Sequence, residues 1–191
     1  MPLTRLLVLV VLVLPVAAVA ADPPAPRYSA EGRLNLPTDY REWVYLSTGL
    51  DMSYSEGRPE ADHVFDNVFV DPTSWSAFKR TGHWPDGTRF VLEVRSASSQ
   101  GSILKQGSFQ TEDVVDVEMH VRDEARFRGG WGFFTFSSSA PAAVLPPTER
   151  CYACHEAHGA VDTTFTQFYP TARTIAIQSG TFRPPARSPP R

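Results

Sequence analysis

The sequence predicts an α+β protein dominated by an antiparallel sheet, with helices at its flanks. Three observations support this: runs rich in β-branched and aromatic residues fill the middle of the chain, helix start and stop signals bracket them, and there are no internal repeats. Residues 1–21 read as a secretory signal peptide. Arg5 supplies the positive start, Leu6 to Val19 the apolar run, and Ala18-Val-Ala20 or Val19-Ala-Ala21 the small-residue cleavage site. The run stops at Asp22-Pro23-Pro24, short of the ~20 apolar residues that span a bilayer. No membrane span is expected after cleavage. Roughly 170 residues then remain, enough for one domain with its own core.

Residues 22–33 are polar and Pro-rich, and read as a flexible lead. In Leu36-Pro-Thr-Asp-Tyr-Arg-Glu-Trp43, Thr38 or Asp39 can cap a short helix with Tyr40 and Trp43 on one face. Val44 to Ser47 reads as extended, and 49–61 as a loop. His63 to Val70 is a strand that runs into Asp71-Pro72, a capping residue followed by a first-turn proline. The helix over 73–80 ends at Gly82. Asp86-Gly87 is a turn before the strand Thr88 to Arg95, and residues 96–112 read as a loop or irregular hairpin. Val114 to Arg122 is a strand whose alternation puts Val115, Val117, Met119 and Val121 on one face and Asp116, Glu118 and His120 on the other. Trp131 to Phe136 is a fourth, strongly aromatic strand. Thr148 can cap a helix near the C-terminus, and a second helical stretch over 164–178 is interrupted by Pro170. Residues 181–191 read as a disordered Pro-rich tail.

Composition is ordinary for a globular chain of 191 residues, 42% hydrophobic and 20% charged, with a formal net charge of −3. So mild an acidic excess excludes a basic nucleic-acid footprint. Only two cysteines are present, and both fall in Cys151-Tyr-Ala-Cys154-His155. Cys-x-x-Cys-His is the attachment pattern of c-type haem: each thiol adds to one vinyl group, and the adjacent imidazole ligates the iron. Three other readings compete for it. A redox Cys-x-x-Cys lacks thioredoxin-like surroundings, a disulfide would close only a tiny loop, and a zinc site with His155 and His158 lacks a second cysteine pair. Behind an export signal the motif predicts one haem c, with Cys151 and Cys154 as thioethers and His155 as iron ligand. The expected location is periplasmic, and residues 34–180 are expected to form the haem domain.

The ordered motifs Leu36 to Trp43, Val68-Phe-Val-Asp-Pro72, Lys79-Arg-Thr-Gly82 with Asp86-Gly-Thr88, the late Cys-x-x-Cys-His and Phe165-Thr-Gln-Phe-Tyr-Pro170 together resemble the cytochrome P-460 and cytochrome c′-beta family. The resemblance covers about residues 30–175. It implies a homodimeric mono-haem protein built on an antiparallel sheet, with a proximal histidine and an open or water-filled distal position. It also implies two functional branches. One carries a lysine–porphyrin crosslink and oxidises hydroxylamine or nitric oxide; the other lacks the crosslink and binds nitric oxide or similar small ligands. The crosslink position falls on Leu92, which cannot form that bond. Lys79 and Lys105 are the chain's two lysines, and Lys105 is the substitute to consider. The ligand-binding branch is therefore expected, with the oxidising enzyme kept as the alternative.

By the same resemblance Glu118 matches the family's distal carboxylate, and Asp66 stands where the oxidising members carry an arginine. Both are candidate distal residues, against a reading of Asp66 and His120 as surface residues at strand ends. Met52, His63, Met119 and His120 are each candidates for a sixth iron ligand, which would make the protein an electron carrier with a redox partner protein. Met119 reads as core and His63 as a surface residue. His158 lies nearly one helical turn beyond His155, at the haem edge.

Overall fold

The structure, a computed structural model, describes residues 23–53, 63–101, 103–146 and 150–184. The signal-peptide segment, the Thr148 cap and the tail beyond residue 184 lie outside them. Five strands, β1 (Val44–Leu50), β2 (Val64–Val70), β3 (Arg89–Ser98), β4 (Phe109–Arg122) and β5 (Trp131–Phe136), form one sheet in sequential order. Every neighbouring pair is antiparallel. Three helices accompany it: α1 (Pro72–Thr81), α2 (Arg150–His158) and α3 (Pro170–Gln178). The expected α+β class is the one observed.

Alternation sorts the sheet into two faces. One buries Val91, Val117, Met119, Val121, Phe134 and Phe136 beneath Leu34, Tyr40 and Trp43 from the N-terminal segment. The other carries Val70, Phe90 and Trp131 against Phe78 of α1 and Ala172 and Ala176 of α3. Sheet pairing arranges this second face in rows: Asp66–Val94–Asp116, Val68–Leu92–Glu118–Thr135, and Val70–Phe90–His120–Phe133.

Helix α1 is tied to the sheet by its own cap. Asp71 is fully buried; its Oδ1 accepts from Ser74 N at 2.9 Å and its Oδ2 from Arg89 N at 3.0 Å, so one carboxylate closes the helix start and holds β3. At the other end Gly82 adopts φ +72°, and a Cβ there would lie 2.5 Å from Ser179 Cβ at the end of α3. Only glycine lets the two helix ends meet so closely.

The structure corrects two expected boundaries. The lead is not free from residue 22 to 33: the Tyr28 ring lies under the Arg126 guanidinium at 3.9 Å, its hydroxyl donates to Asp123 Oδ2 at 3.2 Å, and residue 28 bridges to residue 34. The Pro-rich tail cannot begin at 181 either. Thr181 Oγ1 donates to Gly82 O at 2.8 Å, Arg183 N to Ala160 O at 2.8 Å, and Phe182 packs on the α1–α3 core. Strands β3 and β4 run on, to Ser98 and from Phe109, into the stretch read as a loop or irregular hairpin, where they pair with two register shifts.

Candidate functional site

Helix α2 passes over the row that carries His120. Between it and the sheet lies a cavity of about 670 Å³, lined by Cys151, Cys154 and His155 from α2 and by Asp66, Leu92, Glu118 and His120 from the strands. Phe90, Phe133 and Phe165 supply apolar wall. Both cysteines are half-buried, and neither forms a disulfide among the described residues. Residues 151, 154 and 155 share one helix side because they are three and four positions apart.

His155 is oriented from three directions. Its Nδ1 lies 3.2 Å from Thr163 O, its ring stacks on Phe165 at 3.9 Å between centroids, and His120 meets it edge-on at 4.1 Å. With Nδ1 donating to the carbonyl, the lone pair belongs to Nε2, the tautomer a metal-ligating imidazole needs. Burial pushes its pKa down to about 4, with the Thr163 bond opposing, so the ring is neutral at ordinary pH.

The carbonyl that orients His155 belongs to a strained loop. Asp162 and Thr163 both have left-handed backbones, φ 45° and 62°, unusual for residues with a Cβ. Asp162 anchors that turn: its Oδ2 accepts from Trp84 N at 2.8 Å, its Oδ1 lies 3.0 Å from His83 Nδ1, and Arg122 Nη1 is 3.7 Å away. Trp84 Nε1 donates to Thr166 Oγ1 at 3.2 Å, and Gln167 accepts from Ala160 N and donates to His158 O. Thr166 and Gln167 fall in the motif at 165–170, but Asp162, His83 and Trp84 were not singled out in the sequence. An aspartate tolerates the left-handed region better than most residues, which is the one local signal for Asp162.

The candidate distal residues share the cavity face with Leu92. Glu118 has its carboxyl pushed up, first by burial and then by the negative charges of Asp116 and Asp66. Asp66 sits within β2, not at a strand end, and its Oδ2 accepts from Met52 N at 3.2 Å. His120 is no surface residue: its Nε2 is buried without a hydrogen-bond partner, and Phe133 packs 3.8 Å from its ring. Burial and then His155 push its pKa well down. Met119 also borders the cavity, but its side chain packs in the opposite core; Met52 and His158 line the cavity as well. His63 stays outside it, 2.7 Å from Asp51 Oδ2. Lys79 and Lys105 do not line the cavity.

The donor set fits a covalently held haem: two thiols and a neutral imidazole on one helix side, an apolar slot wide enough for a macrocycle, and an unpartnered buried nitrogen beside it. A sheet-based domain with that slot is of the c-type haem protein class. The model of the Cytochrome P460 family matches residues 37–166, and the chain belongs to that family. The family implies a haem c cofactor, and with it haem and iron binding. No curated protein matches the chain. Among the described residues no helix is long and apolar enough to cross a membrane.

Proposed function

We propose that the chain is an exported mono-haem cytochrome that binds nitric oxide or a similar small neutral ligand at an open axial position. Cys151 and Cys154 form the thioethers and His155 is the iron ligand. The carrying observation is the content of the cavity: both thiols and His155 meet there, and the crosslink position is an apolar Leu92 with no lysine in the lining. When bound, the haem supplies an iron with one position open for a diatomic ligand. The protein's own residues do the rest. Thr163 O and Phe165 hold the imidazole, and the apolar wall keeps water out of the slot.

The electron-carrier reading has less support. Of its candidate sixth ligands, Met119 packs its side chain in the opposite core and His63 lies outside the cavity against Asp51. The hydroxylamine-oxidising reading keeps one observation in its favour: Glu118, a carboxyl with a raised pKa on the cavity wall, is suited to proton transfer. A homodimer, a periplasmic location and a redox partner protein complete the proposal. The test is the ferric and ferrous spectrum of the purified protein. A high-spin ferric haem c that takes up nitric oxide in a 1:1 ratio supports this reading. A low-spin spectrum unresponsive to the gas would overturn it.

A further inference from the structure

The two ends of the cavity are built differently. At one end His155 lies against His120 of β4 and Phe133 of β5, with ring centroids 4.1 Å and 5.1 Å apart. Strand β1 forms the opposite edge of the sheet, and from it Ser47 and Gly49 line the cavity, paired with Val68 and Asp66 of β2. Side chains this small leave room above the strand, and Met52 fills it. The chain turns back after β1 through Asp51, whose backbone is left-handed at φ 56°. Two bonds to Val64 hold the turn: Asp51 N donates to Val64 O at 3.0 Å, and Val64 N donates to Asp51 Oδ1 at 2.9 Å. Met52 N then donates to Asp66 Oδ2 at 3.2 Å. The turn lays the Met52 side chain on Gly49. A Cβ at residue 49 would run into Met52 Sδ and lie 2.7 Å from Met52 Cγ, so any larger residue there would displace the thioether. Met52 is 40% exposed and lines the cavity, which puts it at the mouth.

We propose that Met52 is a specificity-determining residue of this cavity: it walls the β1 end, where it admits a diatomic ligand and excludes bulkier ones by size. The proposal rests on the haem reading above. With His155 taking one axial position from the β4–β5 end, the open position is left toward β1. A diatomic ligand needs little space there, whereas each further methylene must displace packed atoms. One methylene of mismatch in an apolar pocket changes binding by about 10- to 200-fold. Methionine suits the place, because its unbranched thioether moulds to an irregular gap and, being uncharged, leaves a small neutral ligand undisturbed. Gly49 is the other half of the arrangement, since its missing Cβ sets how far back the sulfur can lie.

The experiment titrates ferrous holoprotein with carbon monoxide and with n-butyl isocyanide, wild type against Met52→Ala and Met52→Leu. Both ligands are neutral and bind iron through carbon, so they differ in bulk and not in charge. Truncation to alanine is expected to raise isocyanide affinity about tenfold or more and to leave carbon monoxide within about threefold. Leucine is close to methionine in volume and should hold both affinities within about threefold of wild type. Isocyanide affinity unchanged in Met52→Ala would overturn the proposal. So would an equal rise for both ligands, or a rise in Met52→Leu as large as in Met52→Ala, since leucine keeps the bulk. A low-spin wild-type spectrum that Met52→Leu converts to high spin would overturn it too, because Met52 would then be an iron ligand and not a wall. The wild-type spectrum, read before any titration, separates two kinds of failure. Protein without haem would overturn the haem reading and this proposal with it, whereas a holoprotein that binds carbon monoxide but does not discriminate by size overturns this proposal alone.

Discussion

Replacing Asp162 by alanine is expected to loosen the turn that presents Thr163 O to His155. Three contributions can be worked from the structure. Trp84 N, at 2.8 Å, loses its acceptor in a partly buried position, which costs about 1–3 kcal/mol. The His83 and Arg122 contacts, 3.0 Å and 3.7 Å, are partly solvated and add about 0.5 kcal/mol together. Alanine at φ 45° loses the aspartate's tolerance of the left-handed region, about another 1 kcal/mol. The expected loss is therefore about 3 kcal/mol, read as a lower urea midpoint with an unchanged slope. Asp162→Gly separates the contributions, because glycine accepts the backbone angle and loses only the carboxylate. It should recover about 1 kcal/mol relative to alanine. In the ferrous protein the iron–histidine stretching band should broaden in both variants as the imidazole loses its fixed partner. A loss below about 1 kcal/mol in Asp162→Ala, or a glycine variant less stable than the alanine one, would refute this reasoning.

Three further outcomes are expected. Glu93, 2% exposed, accepts from Tyr40, Arg41 and Arg95; burial pushes its pKa up, but these donors outweigh burial and hold it below the ordinary value. A depressed folded-state pKa means stability that is present above the ordinary glutamate range and lost as pH falls. Glu93→Gln should therefore cost about 2 kcal/mol at pH 7, and the gap to wild type should close in acid; equal urea-midpoint differences at both pH values would contradict this. Glu118 behaves in the opposite sense, since its raised pKa means the folded state holds the proton more tightly. Its contribution to stability falls as pH rises from the ordinary glutamate value through the raised one, and Glu118→Gln should lack that fall in a pH series of melting temperatures. Gly82→Ala forces a Cβ to within 2.5 Å of Ser179 and a left-handed backbone on alanine, for a loss of about 2 kcal/mol or more; a melting temperature equal to wild type would rule out the close α1–α3 contact.

The sheet was legible because its strands announce themselves locally. In β4 the alternation separated Val117, Met119 and Val121 from Glu118 and His120, and the first three are buried in the core of one face, but Val115, grouped with them, is 57% exposed at a register shift. The α1 start was equally plain in Asp71-Pro72, although the second bond from Asp71, to Arg89 N, is long-range and has no sequence signature. The extension of β3 and β4 was hidden because that stretch pairs through backbone and polar side chains, such as Asn67 with Gln110, and not through an apolar period. Tyr28 and Phe182 were misjudged for a related reason. Each is one aromatic in a Pro-rich segment, and what holds it comes from distant parts of the chain. At the site, the haem motif could be read from five residues, but the support of His155 could not. Alternation places His120 on the cavity face; only the passage of α2 over that row brings it against His155.

The central claim is tested most directly by mass spectrometry of the protein isolated from an exported compartment. One haem should survive acid-acetone extraction, and trypsin should release it on the single peptide 151–173, which begins after Arg150 and ends at Arg173. Haem lost on extraction, or a haem peptide joined to a fragment that contains Lys79 or Lys105, would contradict the account.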